Sequence, residues 1–135
     1  MEKILIAEDE EKLRDLFAQF LKAKGYQVVE ARDGQEALAL ATRQPFDLIM
    51  MDVKMPRMDG LSALQQIRTI SPAAGVILIT GYRVTPELEE ALQEGTVEYL
   101  RKPFTFDQLM ETIQRIRNHE HNGEHGSDDE SIAAS

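Results

Sequence analysis

Short apolar runs alternate along this chain with stretches whose apolar residues recur every three to four positions. Lys3-Ile4-Leu5-Ile6-Ala7 is almost wholly apolar, the pattern of a strand covered on both faces. From about Glu11 to Lys24, the positions of Leu13, Leu16, Phe17, Phe20 and Leu21 predict a helix with one inward apolar stripe, closed by Gly25 as its C-cap. Gln27 to Ala31 predicts a second strand, Asp33-Gly34 a turn, and about Gln35 to Arg43 a second helix that Pro45 prevents from continuing. Asp47 to Met51 is the most apolar run and is expected at the centre of the sheet. A loop with Pro56 leads to Gly60 and a helix from about Leu61 to Ile70, with Leu61, Leu64, Ile67 and Arg68 at helical spacing; Ser71-Pro72 and Gly75 break it. Val76 to Ile79 is the fourth strand. Thr85-Pro86-Glu87-Leu88-Glu89 reads as an N-cap, a first-position proline and an acidic first turn, starting a helix that ends near Glu94. Val97 to Leu100 is the fifth strand. A last helix, from Phe106 to about Asn118, turns Leu109, Ile113 and Ile116 inward.

Strict alternation with short connections implies an α/β fold, a parallel sheet with helices on both faces. In such sheets ligands sit outside the carboxyl ends of the strands. Glu8, Asp9, Asp52, Thr80 and Lys102 all fall there. If the runs are neighbouring strands, three carboxylates and one ammonium meet at one edge. Three acids in one pocket repel one another unless something positive joins them. The arrangement therefore points to a divalent-cation site with Asp52 as a nucleophile beside it. Taken singly, each element has a plainer reading. A strand-end aspartate is commonly a turn former, Glu8-Asp9-Glu10-Glu11 an acidic helix start, Lys102 a solvated lysine, Thr80 a β-branched strand residue and Tyr99 a half-buried strand aromatic.

In order and spacing, the set resembles the response-regulator receiver domain of two-component signalling, of the CheY-like superfamily, over roughly residues 2–118. The resemblance rests on Glu8-Asp9, on Asp52 within Met51-Asp52-Val53-Lys54-Met55-Pro56-Arg57-Met58-Asp59-Gly60, on Thr80, and on Tyr99 followed by Lys102-Pro103-Phe104. It implies a (βα)5 doubly wound, flavodoxin-like five-stranded parallel sheet of order 2-1-3-4-5. It also implies that Asp52 accepts a phosphoryl group from a phosphohistidine. Mg2+ (or Mn2+) would be held by Glu8, Asp9, Asp52 and the backbone carbonyl of Lys54, with Glu8 acting through water. Lys102 and Thr80 would steady the phosphoryl group, Thr80 and Tyr99 would form the switch pair, and the Lys102–Pro103 bond would be cis. Lys54 and Tyr82 would shield the acyl phosphate and set its lifetime, a pairing that resembles the sporulation-phosphorelay receiver. Three positions vary from the family pattern or bear on it: Glu8 where aspartate is common, Thr96 where alanine is usual, and Gly81, small enough to keep the phosphoryl group accessible.

Composition narrows the field. The 135 residues suit one domain and contain no cysteine, which excludes disulfides, zinc-thiolate sites and thiol nucleophiles. No stretch is apolar enough to span a membrane, and no signal peptide precedes the first strand run, so a cytoplasmic protein is expected. The net charge is −9, of which −5 lies in His119–Ser135, where there is no Lys or Arg. Such a balance lacks the footprint of direct DNA binding. Residues 1–118 are expected to form the receiver domain and 119–135 a disordered acidic tail; His119, His121 and His125 lack a scaffold to hold a metal. The expected partners are a histidine kinase or histidine phosphotransfer protein near the site, and a downstream protein on the surface of the last two helices and fifth strand. The expected state is a monomer or a phosphorylation-dependent dimer. The protein is read as a non-enzyme that turns over its own modification. A flavin-binding relative is disfavoured, because the acidic first loop would repel a phosphate. A phosphohydrolase with an aspartate nucleophile would need a second aspartate where Lys54 stands, and a receiver that signals without phosphate would not need the full set of site residues.

Overall fold

The computed structural model describes residues 2–53, 60–81, 86, 90 and 97–125. Along the chain lie β1 (Lys3–Ala7), α1 (Glu11–Ala23), β2 (Gln27–Ala31), α2 (Gly34–Arg43), β3 (Leu48–Asp52), α3 (Gly60–Ile70), β4 (Gly75–Thr80), β5 (Val97–Arg101) and α4 (Phe106–His125). The strands form one sheet, all neighbours parallel, in the order β2-β1-β3-β4-β5. This is the expected doubly wound topology, with the reversal of winding between β1 and β3. The helix expected from Thr85 to Glu94 lies outside the described residues except for Pro86 and Glu90, which are both helical.

Strand side chains alternate between two cores. Leu5, Ala7, Ile49, Met51, Val76 and Leu78 pack with residues of α2 and α3, including Ala37, Ala41, Leu64 and Ile67. Ile4, Ile6, Leu48, Met50, Ile77 and Ile79 pack with Phe17 and Leu21 of α1 and Leu109, Ile113 and Ile116 of α4. Every residue of β3 and β4 is buried, which explains their lack of polar alternation.

Local chemistry sets the helix ends. The Asp33 side chain accepts the Glu36 amide at 2.9 Å, while Glu36 accepts the Arg32 amide at 2.8 Å, so the turn read at Asp33-Gly34 also starts α2. Thr105 and Gln108 form a capping box on α4 through bonds of 3.0 and 2.8 Å. Helix α1 ends in a Schellman motif. Tyr26 N–H donates to the Leu21 carbonyl and Gly25 N–H to that of Lys22, with Gly25 at φ 99°. A Cβ at Gly25 would meet nothing within 4 Å, so its cost is backbone strain alone. Gly25→Ala is expected to lower unfolding free energy by about 1 kcal/mol with no change of fold, which a urea melt measures.

Two expectations need correction. Leu16, assigned to the inward stripe of α1, is 48% exposed. The residues of α1 that face the sheet are Phe17, Ala18 and Leu21, and Leu16 lies to one side of them. The second correction concerns the end of the last helix, expected near Asn118. The helix runs on to His125, with no proline or glycine to stop it before Gly123. Residues 126–135 lie outside the described residues.

Candidate functional site

The site follows from strand register. Ala7 of β1 is paired with Met51 of β3, so the next residues, Glu8 and Asp52, emerge side by side. Each also continues the two-residue alternation of its strand, Ile4-Ile6 and Leu48-Met50, toward the same face. Asp9 begins the turn into α1. One carboxylate oxygen from each of Glu8, Asp9 and Asp52 lies within 4.8 Å of the others. Glu8 and Asp52 are buried, whereas Asp9 is exposed. On the far side of β4, the Lys102 amide donates to the Thr80 carbonyl at 2.7 Å, bringing the end of β5 to the same edge. Lys102 Nζ stands 2.9 Å from Asp52 Oδ2 and 3.6 Å from Glu8 Oε1. The Lys102–Pro103 peptide is cis, as the resemblance implied.

The electrostatics are unbalanced: three acids face one ammonium. Glu8 is 1% exposed, and its Oε1 has no hydrogen-bond donor among the described residues, while Oε2 accepts the Glu10 amide at 3.1 Å. Burial is the main reason that the Glu8 pKa rises to about 7. The Glu10 bond and Lys102 oppose the rise, and the neighbouring Asp52 adds to it. For Lys102, burial works to lower the pKa, but the bond to Asp52 and the charges of both acids outweigh it and leave the ammonium more basic than usual. A buried carboxylate oxygen without a donor, in a set made only of oxygen ligands, fits a hard divalent cation.

The Glu8 shift has a consequence for stability. The unfolded chain releases this proton near its ordinary pKa of 4.5, the folded chain at about 7. The folded state holds the extra proton between those values. Its stabilising contribution is complete below about pH 4.5 and is lost as pH rises through about 7. With chelator present, the melting temperature is expected to fall across this window, and Glu8→Gln to flatten the fall. A wild-type curve no steeper than that of Glu8→Gln would contradict the assignment.

Thr80 is 2% exposed at the end of β4, one residue beyond Ile79, which pairs with Asp52. Tyr99 pairs with Leu78 and is 38% exposed, on the outer strand β5. Lys54 and Tyr82 lie outside the described residues. His119, His121 and His125 fall on the last turns of α4, and their side chains are not described.

Two features escaped the sequence reading. Arg14 donates from Nη1 to the Glu8 carbonyl at 2.9 Å and from Nε to Glu30 at 3.2 Å. Its sequence signal was its place at helical spacing with Phe17, Ala18 and Leu21, on the buried side of α1, where a cation needs partners. The second is an apolar groove of about 580 Å³ beside the site, lined by Leu13, Leu16, Phe17, Pro103, Phe104 and Phe106 together with Lys102 and Thr105. Two stacked ring pairs brace it, Phe17–Phe104 at 5.5 Å and Phe20–Phe106 at 4.0 Å.

The chain is similar to known proteins in sequence and fold. The family model of the response regulator receiver domain matches residues 4–114. The transcriptional regulatory protein ZraR of Escherichia coli K12 is 36% identical over 118 residues, 87% of this chain but 27% of that protein, so the chain spans about a quarter of its length. Sporulation initiation phosphotransferase F of Bacillus subtilis is 32% identical over 114 residues, 84% of this chain and 92% of that protein. The crystal structure of the response regulator TrrA of Thermotoga maritima, in complex with Mg2+ and BeF, superposes with a TM-score of 0.76 at 32% identity, covering 86% of this chain and 99% of that one.

Proposed function

Since the chain belongs to the response regulator receiver domain family and is thus a phosphoacceptor response regulator, we propose that Asp52 is its acceptor, with Glu8, Asp9 and Asp52 forming a Mg2+ site. The observation that carries this reading is the meeting of those three carboxylates at one sheet edge, with Lys102 Nζ 2.9 Å from Asp52. The Mg2+ and BeF complex of TrrA, a similar protein, supports the choice of ion. Mn2+ has the same preference for oxygen ligands and is the substitute we propose. The Lys54 carbonyl is proposed as a further ligand.

In the proposed reaction an Asp52 oxygen bonds to phosphorus as the N–P bond of a donor phosphohistidine breaks, and that bond's electron pair returns to the imidazole nitrogen. A bound divalent cation supplies charge neutralisation between the attacking carboxylate and the phosphoryl oxygens. Lys102, already within hydrogen-bond distance of Asp52, can turn to a phosphoryl oxygen while remaining near Glu8. The burial of Asp52 and Glu8 strengthens each of these interactions. The chain acts on its own aspartate, and we read it as a switch rather than an enzyme.

Thr80 and Tyr99 are proposed to transmit the modified state. The Thr80 hydroxyl would bond to the phosphoryl group, and the half-exposed Tyr99 ring would turn into the space vacated, altering the surface of β5 and the helices beside it. The phosphodonor, a histidine kinase or phosphotransfer protein, is proposed to dock over the site and the groove formed by α1 and Pro103, Phe104 and Phe106. A cytoplasmic site of action is proposed; among the described residues no helix is long and apolar enough to cross a membrane. Residues 1–118 are proposed as the receiver domain, as a monomer or a phosphorylation-dependent dimer.

Lys54 and Tyr82 are proposed to shield the acyl phosphate from water. The double variant Lys54→Asn, Tyr82→Ala is expected to lose phosphate faster than the parent in a chase with excess EDTA; an equal rate removes that role. The reading as a whole is tested with beryllofluoride and Mg2+ by amide NMR. Saturable shifts at Thr80, Tyr99 and Lys102 that require both reagents support it, and an unchanged spectrum overturns it.

A further inference from the structure

We infer that Arg14 is a positioning residue for the metal-binding loop, fixing Glu8 and Asp9 in place without using up their carboxylates. The inference rests on the proposed Mg2+ site and adds a residue to it.

Four consecutive acids, Glu8-Asp9-Glu10-Glu11, leave β1 and enter α1. Such a loop repels itself and needs anchors to keep one shape. The loop amide of Glu8 donates to the Ala31 carbonyl at 3.1 Å, which ties its first residue to the β2 side. The Glu8 carbonyl has left the β1 ladder, and Arg14 Nη1 takes it at 2.9 Å. Arg14 is itself fixed from the opposite side, its Nε 3.2 Å from Glu30 Oε1 on β2, and its side chain is only 14% exposed. Its backbone amide closes the first turn of α1 onto the Glu10 carbonyl at 2.9 Å. One residue thus joins the loop, the helix and the edge strand.

The choice of acceptor matters. Among the described residues, Lys102 and Arg14 are the cations that touch this acidic turn, and they touch it differently. Lys102 approaches the carboxylates of Asp52 and Glu8. Arg14 binds a carbonyl of the loop and a carboxylate, Glu30, outside the metal-facing set. Its charge offsets the repulsion within the loop, while its hydrogen bonds go to the Glu8 carbonyl and to Glu30 and not to the carboxylates of Glu8 or Asp9. A planar guanidinium can hold both acceptors at once from a fixed fork, and an ammonium cannot reproduce that geometry. Holding ligands in place before the ion arrives lowers the cost of binding.

The experiment measures Mg2+ affinity by calorimetry without a phosphodonor, phosphorylation rate against Mg2+ concentration with acetyl phosphate, and melting temperature in chelator. The variants are Arg14→Met, which keeps the length of the stem, Arg14→Lys, and Glu30→Ala, which frees the guanidinium. Arg14→Met is expected to weaken Mg2+ binding about tenfold, with a smaller change in the rate at saturating Mg2+. Arg14→Lys is expected to restore part of that loss, and Glu30→Ala to weaken binding two- to threefold, roughly, by loosening the fork. Wild-type affinity in Arg14→Lys and Glu30→Ala, whatever their melting temperatures, overturns the inference, and these two serve if Arg14→Met fails to fold. Lower melting temperatures with unchanged Mg2+ affinity also overturn it, since they leave Arg14 a purely structural role. Failure of the proposed function itself looks different: the unsubstituted protein would then neither bind Mg2+ nor take up phosphate.

Discussion

Asp52→Asn is expected to abolish phosphoryl uptake from acetyl phosphate, a fall of at least about a thousandfold. The amide is nearly the same size and keeps an oxygen toward Lys102, but it carries no negative charge and is a poor nucleophile. The remaining acids do not replace it. Glu8 has a raised pKa of about 7 and offers a weaker nucleophile near neutrality, and its Oε2 is already bonded to the Glu10 amide. Asp9 is exposed, on the turn outside the sheet rather than on a strand end beside Lys102. Intact-mass measurement against time reads the result, with circular dichroism to show that the fold is kept. Uptake at the parent rate would place the acceptor elsewhere.

Lys102→Met is expected to move two measurements in opposite directions. The phosphorylation rate at saturating Mg2+ should fall by about 10²- to 10³-fold, the scale for removing one preorganised charge that faces the developing charge of a transition state. Mg2+ affinity should rise, because the ammonium 2.9 Å from Asp52 and 3.6 Å from Glu8 competes with a cation for the same oxygens. Methionine keeps an unbranched apolar side chain at a residue that lines the groove with Pro103 and Phe104, which limits the structural effect. Parallel titrations and time courses on the two proteins separate the effects. If affinity and rate fell together, Lys102 would act mainly by holding the site's shape, and its proposed role toward the phosphoryl group would fail.

Much of the fold was legible because the strands are short, apolar and separated by clear stops. Lys3–Ala7 and Gln27–Ala31 keep the bounds read from the sequence, the third and fourth strands differ by one residue at each end, and the fifth by one residue at its carboxyl end. The most apolar run, β3, occupies the centre of the sheet. The acids and Lys102 were legible as a group because parallel strands in alternation carry their carboxyl ends to one edge, whatever the details of packing. Leu16 was misread for a different reason. A stripe of five apolar positions on α1 is wider than the strip that the sheet covers, and periodicity does not say which margin stays open. Its exposure becomes informative only with Pro103, Phe104 and Phe106 beside it. Arg14 was missed because its partners, the Glu8 carbonyl and Glu30, are a backbone group and a residue on another strand, neither visible to helical spacing. The length of α4 was underestimated because polarity was taken to end a helix. His119-Glu120-His121-Asn122 contains nothing that breaks one, and a polar helix can run on past the core that its earlier turns bury.

The central claim is that one carboxylate, Asp52, takes the phosphoryl group in a metal-dependent reaction. Its most direct measurement is peptide mapping of the protein after acetyl phosphate and Mg2+, with the acyl phosphate trapped by borohydride reduction. The expected result is a single modification, on Asp52, that disappears when EDTA replaces Mg2+. Modification at Glu8 or Asp9 instead, modification that persists without a divalent cation, or no modification with Mg2+ present would contradict the claim.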